Sequence, residues 1–141
     1  MVGIVIVSHS RQIASGAAEL AGQMAGPDVR IEAAGGDPAG GLGTDGARIT
    51  AAIAAADTGD GVIVLGDLGS AILTVRAVLD GDEIDGAAHD ANGASAIRVR
   101  AVLADAPLVE GAVTAAVVAS AGVDLDAVVQ AAEEARGHRK L

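Results

Sequence analysis

Apolar positions along the chain fall into short runs of two kinds. Val2–Val7 (Val-Gly-Ile-Val-Ile-Val) and Val62–Gly66 (Val-Ile-Val-Leu-Gly) are unbroken. Runs this short and this rich in β-branched residues predict strands buried on both faces. Val29-Arg30-Ile31-Glu32-Ala33 alternates apolar with polar, and Ile97-Arg98-Val99-Arg100 does the same before ending in Ala101-Val102-Leu103. Alternation predicts strands with one wetter face.

Between the strands the period lengthens to that of a helix. Ile13, Ala17, Leu20, Ala21 and Met24 recur on one predicted inward face, which gives a helix from Arg11 to about Ala25. Ser10 suits its N-cap and Gly26-Pro27-Asp28 its end. A Gly-rich loop over 34–44 leads to a second helix, capped by Thr44 or Asp45, with Ile49, Ile53 and Ala56 inward and a turn at Thr58–Gly61. Asp67-Leu68-Gly69-Ser70 opens a third helix with Ala71, Ile72, Val75 and Leu79 as its apolar face. Residues 80–95 are polar, acidic and Gly-containing, and read as a surface excursion. Ala104-Asp105-Ala106-Pro107 leaves the fourth strand for a helix over about Leu108–Ala121, which Gly122 suits as terminator. A last helix, capped by Asp124, runs to about Arg136, and its basic end (Arg136, Arg139, Lys140) complements a helix C-terminus.

Strands alternating with helices predict an α/β fold, a three-layer doubly wound sheet, mainly parallel, with right-handed crossovers. The unbroken strands 1 and 3 belong in the middle and the alternating strands 2 and 4 outside them, which gives the order 2-1-3-4. The topological switch point then lies between strands 1 and 3, and ligands of such sheets bind in the crevice there. His9 ends strand 1 and Asp67 ends strand 3, so the two are predicted neighbours.

Composition narrows what the crevice holds. Residues 1–141 are enough for one domain with a real core. No stretch has the roughly 20 apolar residues of a membrane helix, and Val2–Val7 lacks the flanks of a leader. There is no Cys, so no disulfide or thiolate chemistry, in keeping with a cytoplasmic location. A formal net charge of −10 argues against nucleic acid and against anionic membranes. The absence of Phe, Tyr and Trp excludes aromatic base stacking. Any phosphate site must therefore be local, built from backbone N–H groups and helix ends.

His9 and Asp67 fit that requirement. A carboxylate on one ring nitrogen fixes the tautomer of a neutral imidazole and stabilises the cation formed when the other nitrogen attacks. Ser10, Gly43-Thr44 and Gly69-Ser70 stand at three helix starts, where spare N–H donors favour an anion. A phosphoryl group on His9 would meet such donors with no metal and no cofactor. Taken singly, His9 also reads as a structural residue, Asp67 as a turn residue, and Ser10, Thr44 and Ser70 as plain N-caps. The loop lacks a nucleotide P-loop ending, and no dinucleotide fingerprint follows strand 1. His89 in the excursion and His138 in the tail read as solvated, and neither has metal-site spacing with His9. Asp80, Asp82, Glu83 and Asp85 read as a solvated face.

Four motifs in order carry a family resemblance: Ile-Val-Ser-His-Ser at 6–10, Gly-Thr-Asp at 43–45, Asp-Leu-Gly-Ser-Ala at 67–71 and Ala-Pro-Leu-Val-Glu-Gly at 106–111. Together they resemble the phosphotransferase subunit of phosphoenolpyruvate-dependent dihydroxyacetone (glycerone) kinase. Its first domain is similar to the mannose-family IIA domains of the bacterial sugar phosphotransferase system. The resemblance implies that His9 is the phosphorylated histidine and Asp67 its carboxylate partner, with Ser10, Gly43, Thr44, Gly69 and Ser70 around the phosphate. It implies receipt of phosphate from the histidine-containing phosphocarrier protein and delivery to ADP on the nucleotide subunit of the kinase. It also implies a homodimer. Some family members append phosphocarrier and enzyme-I-like domains; a chain ending after the fifth helix is expected to use a separate phosphocarrier. Two rival readings remain open at this stage: a sugar-transport IIA component that passes phosphate to a IIB domain, and a non-catalytic flavodoxin-like binding domain.

Overall fold

The computed structural model describes residues 1–81 and 99–141. Strand β1 (Gly3–Ser8) leads through helix α1 (Arg11–Ala25) to β2 (Ile31–Gly35), and helix α2 (Gly46–Ala56) leads on to β3 (Val62–Gly66). Helix α3 (Gly69–Asp80) follows, then β4 (Ala101–Leu103), α4 (Leu108–Ser120) and α5 (Leu125–Glu134), with a closing 3-10 turn at Ala135–Gly137. The strand order is β2-β1-β3-β4 and every pairing is parallel. This is the predicted architecture, with the two unbroken apolar strands at its centre. The part of the expected excursion beyond Gly81, with Asp82, Glu83, Asp85 and His89, and the start of the expected fourth strand at Ile97-Arg98 lie outside the described residues.

Two cores face the two sides of the sheet. Ile4 and Ile6 of β1 and Ile63 and Leu65 of β3 pack beneath α1, α4 and α5. Val5, Val7, Val62 and Val64 pack beneath α2 and α3. The alternation of side chains along each strand sends neighbours to opposite cores, so Ile4–Val7 of β1 and Val62–Leu65 of β3 are apolar at every position. Full burial of one such side chain stabilises the fold by about 1.5–3 kcal/mol.

Three predictions need correction. On α1 the inward residues are Ala14, Ala17 and Ala21, whereas Ile13, Leu20 and Met24 are 52%, 44% and 57% exposed. The cause is how closely α1 is seated: it packs on β2 and on α4, whose buried stripe is Gly111, Ala112, Ala115, Ala116 and Ala119. Only small side chains fit between surfaces so near each other. Strand β2 begins two residues late, at Ile31 rather than Val29, because its pairing with β1 runs from Ile4–Ile31 to Ser8–Gly35. Among the described residues β4 pairs with β3 only over Ala101–Leu103.

Glycine sets the height of the sheet's carboxyl edge. A Cβ on Gly35 would lie 2.6 Å from the Ser10 carbonyl oxygen and 2.8 Å from the Arg11 Cα. The first turn of α1 therefore rests directly on the end of β2. Gly36, at φ 79°, turns the chain away and donates its N–H to the Ser8 carbonyl at 3.2 Å.

Candidate active site

β1 and β3 end side by side, with Val7 opposite Gly66. One further hydrogen bond, Asp67 N–H to the Val7 carbonyl at 3.2 Å, carries the pairing past the end of the sheet. His9 and Asp67 consequently leave adjacent strands at the same level. His9 Nδ1 lies 2.9 Å from Asp67 Oδ1. The side chains are 24% and 14% exposed respectively, so the pair sits in a shallow, partly dry edge.

Asp67 is held by four hydrogen bonds. Oδ1 accepts from His9 Nδ1 and from the Leu68 N–H at 2.7 Å; Oδ2 accepts from the Ser8 hydroxyl at 2.7 Å and the His9 N–H at 3.1 Å. Burial pushes this carboxyl up, but the bonds from Ser8, His9 and Leu68 outweigh it and hold Asp67 below its ordinary value of 3.8. Asp67 is thus ionised at neutral pH and accepts only. The proton it receives from the ring is the one on Nδ1, which leaves the lone pair on Nε2. That nitrogen is turned outward to the Ser70 hydroxyl.

The start of α3 supplies the anion-favouring part of the site. Leu68 is the N-cap, with no side-chain cap bond, and the helix's first i to i−4 bond runs from Ile72 N–H to the Leu68 carbonyl. The N–H groups of Gly69, Ser70 and Ala71 precede that bond and have no partner within the helix. They belong to the same first turn whose Ser70 hydroxyl meets His9 Nε2, at the positive end of the helix dipole.

The other expected residues are placed differently. Ser10 caps α1 by accepting from the Ile13 N–H at 3.3 Å, and its own N–H goes to the Ser8 hydroxyl oxygen at 3.0 Å. The Gly43 N–H is committed to the His9 carbonyl at 2.9 Å, so Gly43 holds the backbone of His9 in place. Thr44 does not cap α2. Asp45 does, accepting from the Ala47 N–H, and the Thr44 hydroxyl lies 2.9 Å from that of Thr74 on α3. His138 lies in an exposed tail, lining a cleft with Asp105, Glu110 and Arg136.

Ser8 is the residue that pattern reading missed. It is wholly buried, and it is the only polar side chain in that class among the described residues. A signal was present: Ser8 is the one hydroxyl that directly continues an unbroken apolar strand, at its last paired position.

Fold and geometry together define a doubly wound α/β domain with a histidine–carboxylate pair at the switch point between β1 and β3. Comparison with known proteins gives the family. The family described as "PTS system fructose IIA component" (EIIA-man) matches residues 3–129. The phosphoryl donor subunits DhaM of phosphoenolpyruvate-dependent dihydroxyacetone kinase from Pantoea ananatis and Escherichia coli K12 are 41% and 39% identical over 96% and 92% of this chain. The chain spans only 27% and 26% of their lengths. A shorter relative, the DhaM of dihydroxyacetone kinase 2 from Listeria innocua, is 34% identical and is matched over 95% of its length and 92% of this chain. The crystal structure of EF1359, a protein of unknown function, superposes with a TM-score of 0.77 at 30% identity, over 100% of this chain and 99% of that one. The chain belongs to the EIIA-man family and, within it, to the DhaM proteins.

Proposed function

We propose that this domain is a phosphoryl relay with His9 as the transient carrier. The observation that carries the reading is the direction of the ring: Nδ1 on Asp67 at 2.9 Å and Nε2 facing the first turn of α3. Nε2 attacks the phosphorus of a donor phosphohistidine. The donor's N–P bond breaks as the Nε2–P bond forms, and the Nδ1 proton stays with His9. The positive charge that develops on the imidazole is stabilised by ionised Asp67. The incoming phosphoryl oxygens take the N–H groups of Gly69, Ser70 and Ala71 and the Ser70 hydroxyl. In the second transfer the Nε2–P bond breaks and the acceptor oxygen takes the phosphoryl group.

The donor is the histidine-containing phosphocarrier protein. The acceptor is ADP bound on the nucleotide subunit of dihydroxyacetone kinase, and the ATP formed phosphorylates dihydroxyacetone. The relatives' names, phosphoryl donor subunits of dihydroxyacetone kinase, support that kinase as the receiving side. The family description favours a second reading at the same histidine, transfer to a sugar-transport IIB domain. The relay operates in the cytoplasm as a homodimer.

Incubation with labelled phosphoenolpyruvate, enzyme I and the phosphocarrier is expected to place label on the wild type and none on His9→Ala. Asp67→Asn is expected to slow labelling by about a hundredfold. Label retained by His9→Ala, or never taken up by the wild type, overturns the relay. Discharge of the labelled protein onto the ADP-loaded kinase subunit, and not onto a IIB domain, selects the first acceptor. Sedimentation equilibrium tests the dimer.

A further inference from the structure

The Asp67 carboxylate is gripped from beneath as well as from the histidine. Ser8 is 0% exposed, so its hydroxyl has no solvent to turn to. Its backbone is fixed by the pairing of β1 with Gly35 and by the Gly36 N–H on its carbonyl. The Ser10 N–H donates into its oxygen at 3.0 Å, and the hydroxyl proton points at Asp67 Oδ2, 2.7 Å away. An ionised carboxylate only accepts and a backbone N–H only donates, so the direction of this chain is forced. It runs from Ser10 N–H through Ser8 to Asp67, and Asp67 in turn receives the Nδ1 proton of His9.

We propose that Ser8 is a positioning residue for the histidine: it anchors Oδ2 to the sheet, so that Oδ1 faces Nδ1 and the neutral imidazole is kept as the tautomer whose Nε2 lone pair is free. The kinetic consequence rests on the relay reading given above; the tautomer does not. Without the hydroxyl, Oδ2 keeps only the longer bond from the His9 N–H, at 3.1 Å. The carboxylate then turns about its own axis, and the Ser10 N–H loses its acceptor. A ring no longer held at Nδ1 populates the other tautomer, whose protonated Nε2 cannot attack.

The test is Ser8→Ala, read by long-range proton–nitrogen correlation spectra of 15N-histidine-labelled protein with the ring neutral. The wild type is expected to show the Nδ1–H tautomer alone at His9 and Ser8→Ala a mixture. Phosphoryl uptake by Ser8→Ala is expected to fall roughly ten- to a hundredfold at saturating phosphocarrier, with KM unchanged, the size expected for loss of a hydrogen bond to a charged group. A single tautomer in folded Ser8→Ala overturns the proposal, and a rate loss with the tautomer unchanged does so too, since that is a merely structural role. If Ser8→Ala does not fold, Ser8→Cys keeps a similar volume with a weaker donor: a mixed tautomer supports the proposal and an unmixed one overturns it. If neither variant folds, the wild-type Ser8 hydroxyl decides. A proton protected from exchange and deshielded by the carboxylate supports the proposal; exchange at the rate of a free hydroxyl overturns it. A mixed tautomer in Ser8→Ala, with a wild type that never takes label, would keep the positioning role and discard the relay.

Discussion

Asp67 links the chemistry of His9 to the stability of the fold. Its folded-state pKa lies below the ordinary 3.8, because the bonds from Ser8, His9 and Leu68 outweigh the cost of burial. The unfolded chain therefore binds the proton more readily at acid pH, and stability rises with pH through that window. The contribution is fully present above the unfolded pKa and is lost as pH falls through the folded one. Urea titrations of wild type and Asp67→Asn are expected to differ by a constant amount above about pH 5 and to converge below about pH 4. A difference that stays constant down to pH 3 would mean that the carboxylate gains nothing from its four partners.

Elements bring those partners together, and two glycines separate the element's role from the atom's. Gly35 lies under the first turn of α1, where a Cβ would meet the backbone of Ser10 and Arg11 at 2.6 and 2.8 Å. Gly35→Ala must lift that turn, and His9 with it, at a cost of about 1–3 kcal/mol. At Gly69 a Cβ meets nothing within 4 Å, and φ is not in the left-handed region. Gly69→Ala keeps the N–H assigned to phosphate in the proposed relay. It is expected to label at the wild-type rate while Gly35→Ala labels poorly; equal labelling by both would separate the seating of α1 from the site. The same packing explains what the sequence concealed. Strand order was legible because an unbroken apolar run and an alternating one mark different depths in a sheet. The inward face of α1 was legible only in part: Ala17 and Ala21 stood on it, but a hydrophobicity pattern ranks Ile13, Leu20 and Met24 above alanine and passes over Ala14. The narrow space between sheet and α4 admits the alanines alone. His9 and Asp67 were legible as the ends of the two central strands. Ser8 was passed over because a serine at a strand end reads as a turn, and only its depth shows that its hydroxyl is committed to Asp67.

At the scale of the molecule, the two cores divide the labour. The face under α1, α4 and α5 carries the larger set of buried residues, and its helices meet largely through alanine. The face under α2 and α3 places the start of α3 against the histidine. The contact between the Thr44 and Thr74 hydroxyls joins the loop before α2 to α3, so the Gly-rich loop and the helix beside His9 are tied on the same side of the sheet. With a net charge of −10 over this frame, the phosphate recognition proposed above falls to backbone groups at one edge.

His9 and Asp67 are 58 residues apart in the chain. No local segment contains both halves of the pair, and they meet only after the crossovers through α1, β2 and α2 have brought β3 beside β1. Parallel pairing across such a separation is slow compared with helix formation, because loop closure must precede any gain from contact. In the proposed relay, competence to accept phosphate is therefore a clock for the central step of folding. In a refolding time course, far-ultraviolet dichroism is expected to recover first and His9 labelling to lag behind it, rising with the protection of the β3 amides. Labelling that appeared together with the helices would mean that the two central strands dock before the crossovers between them are built.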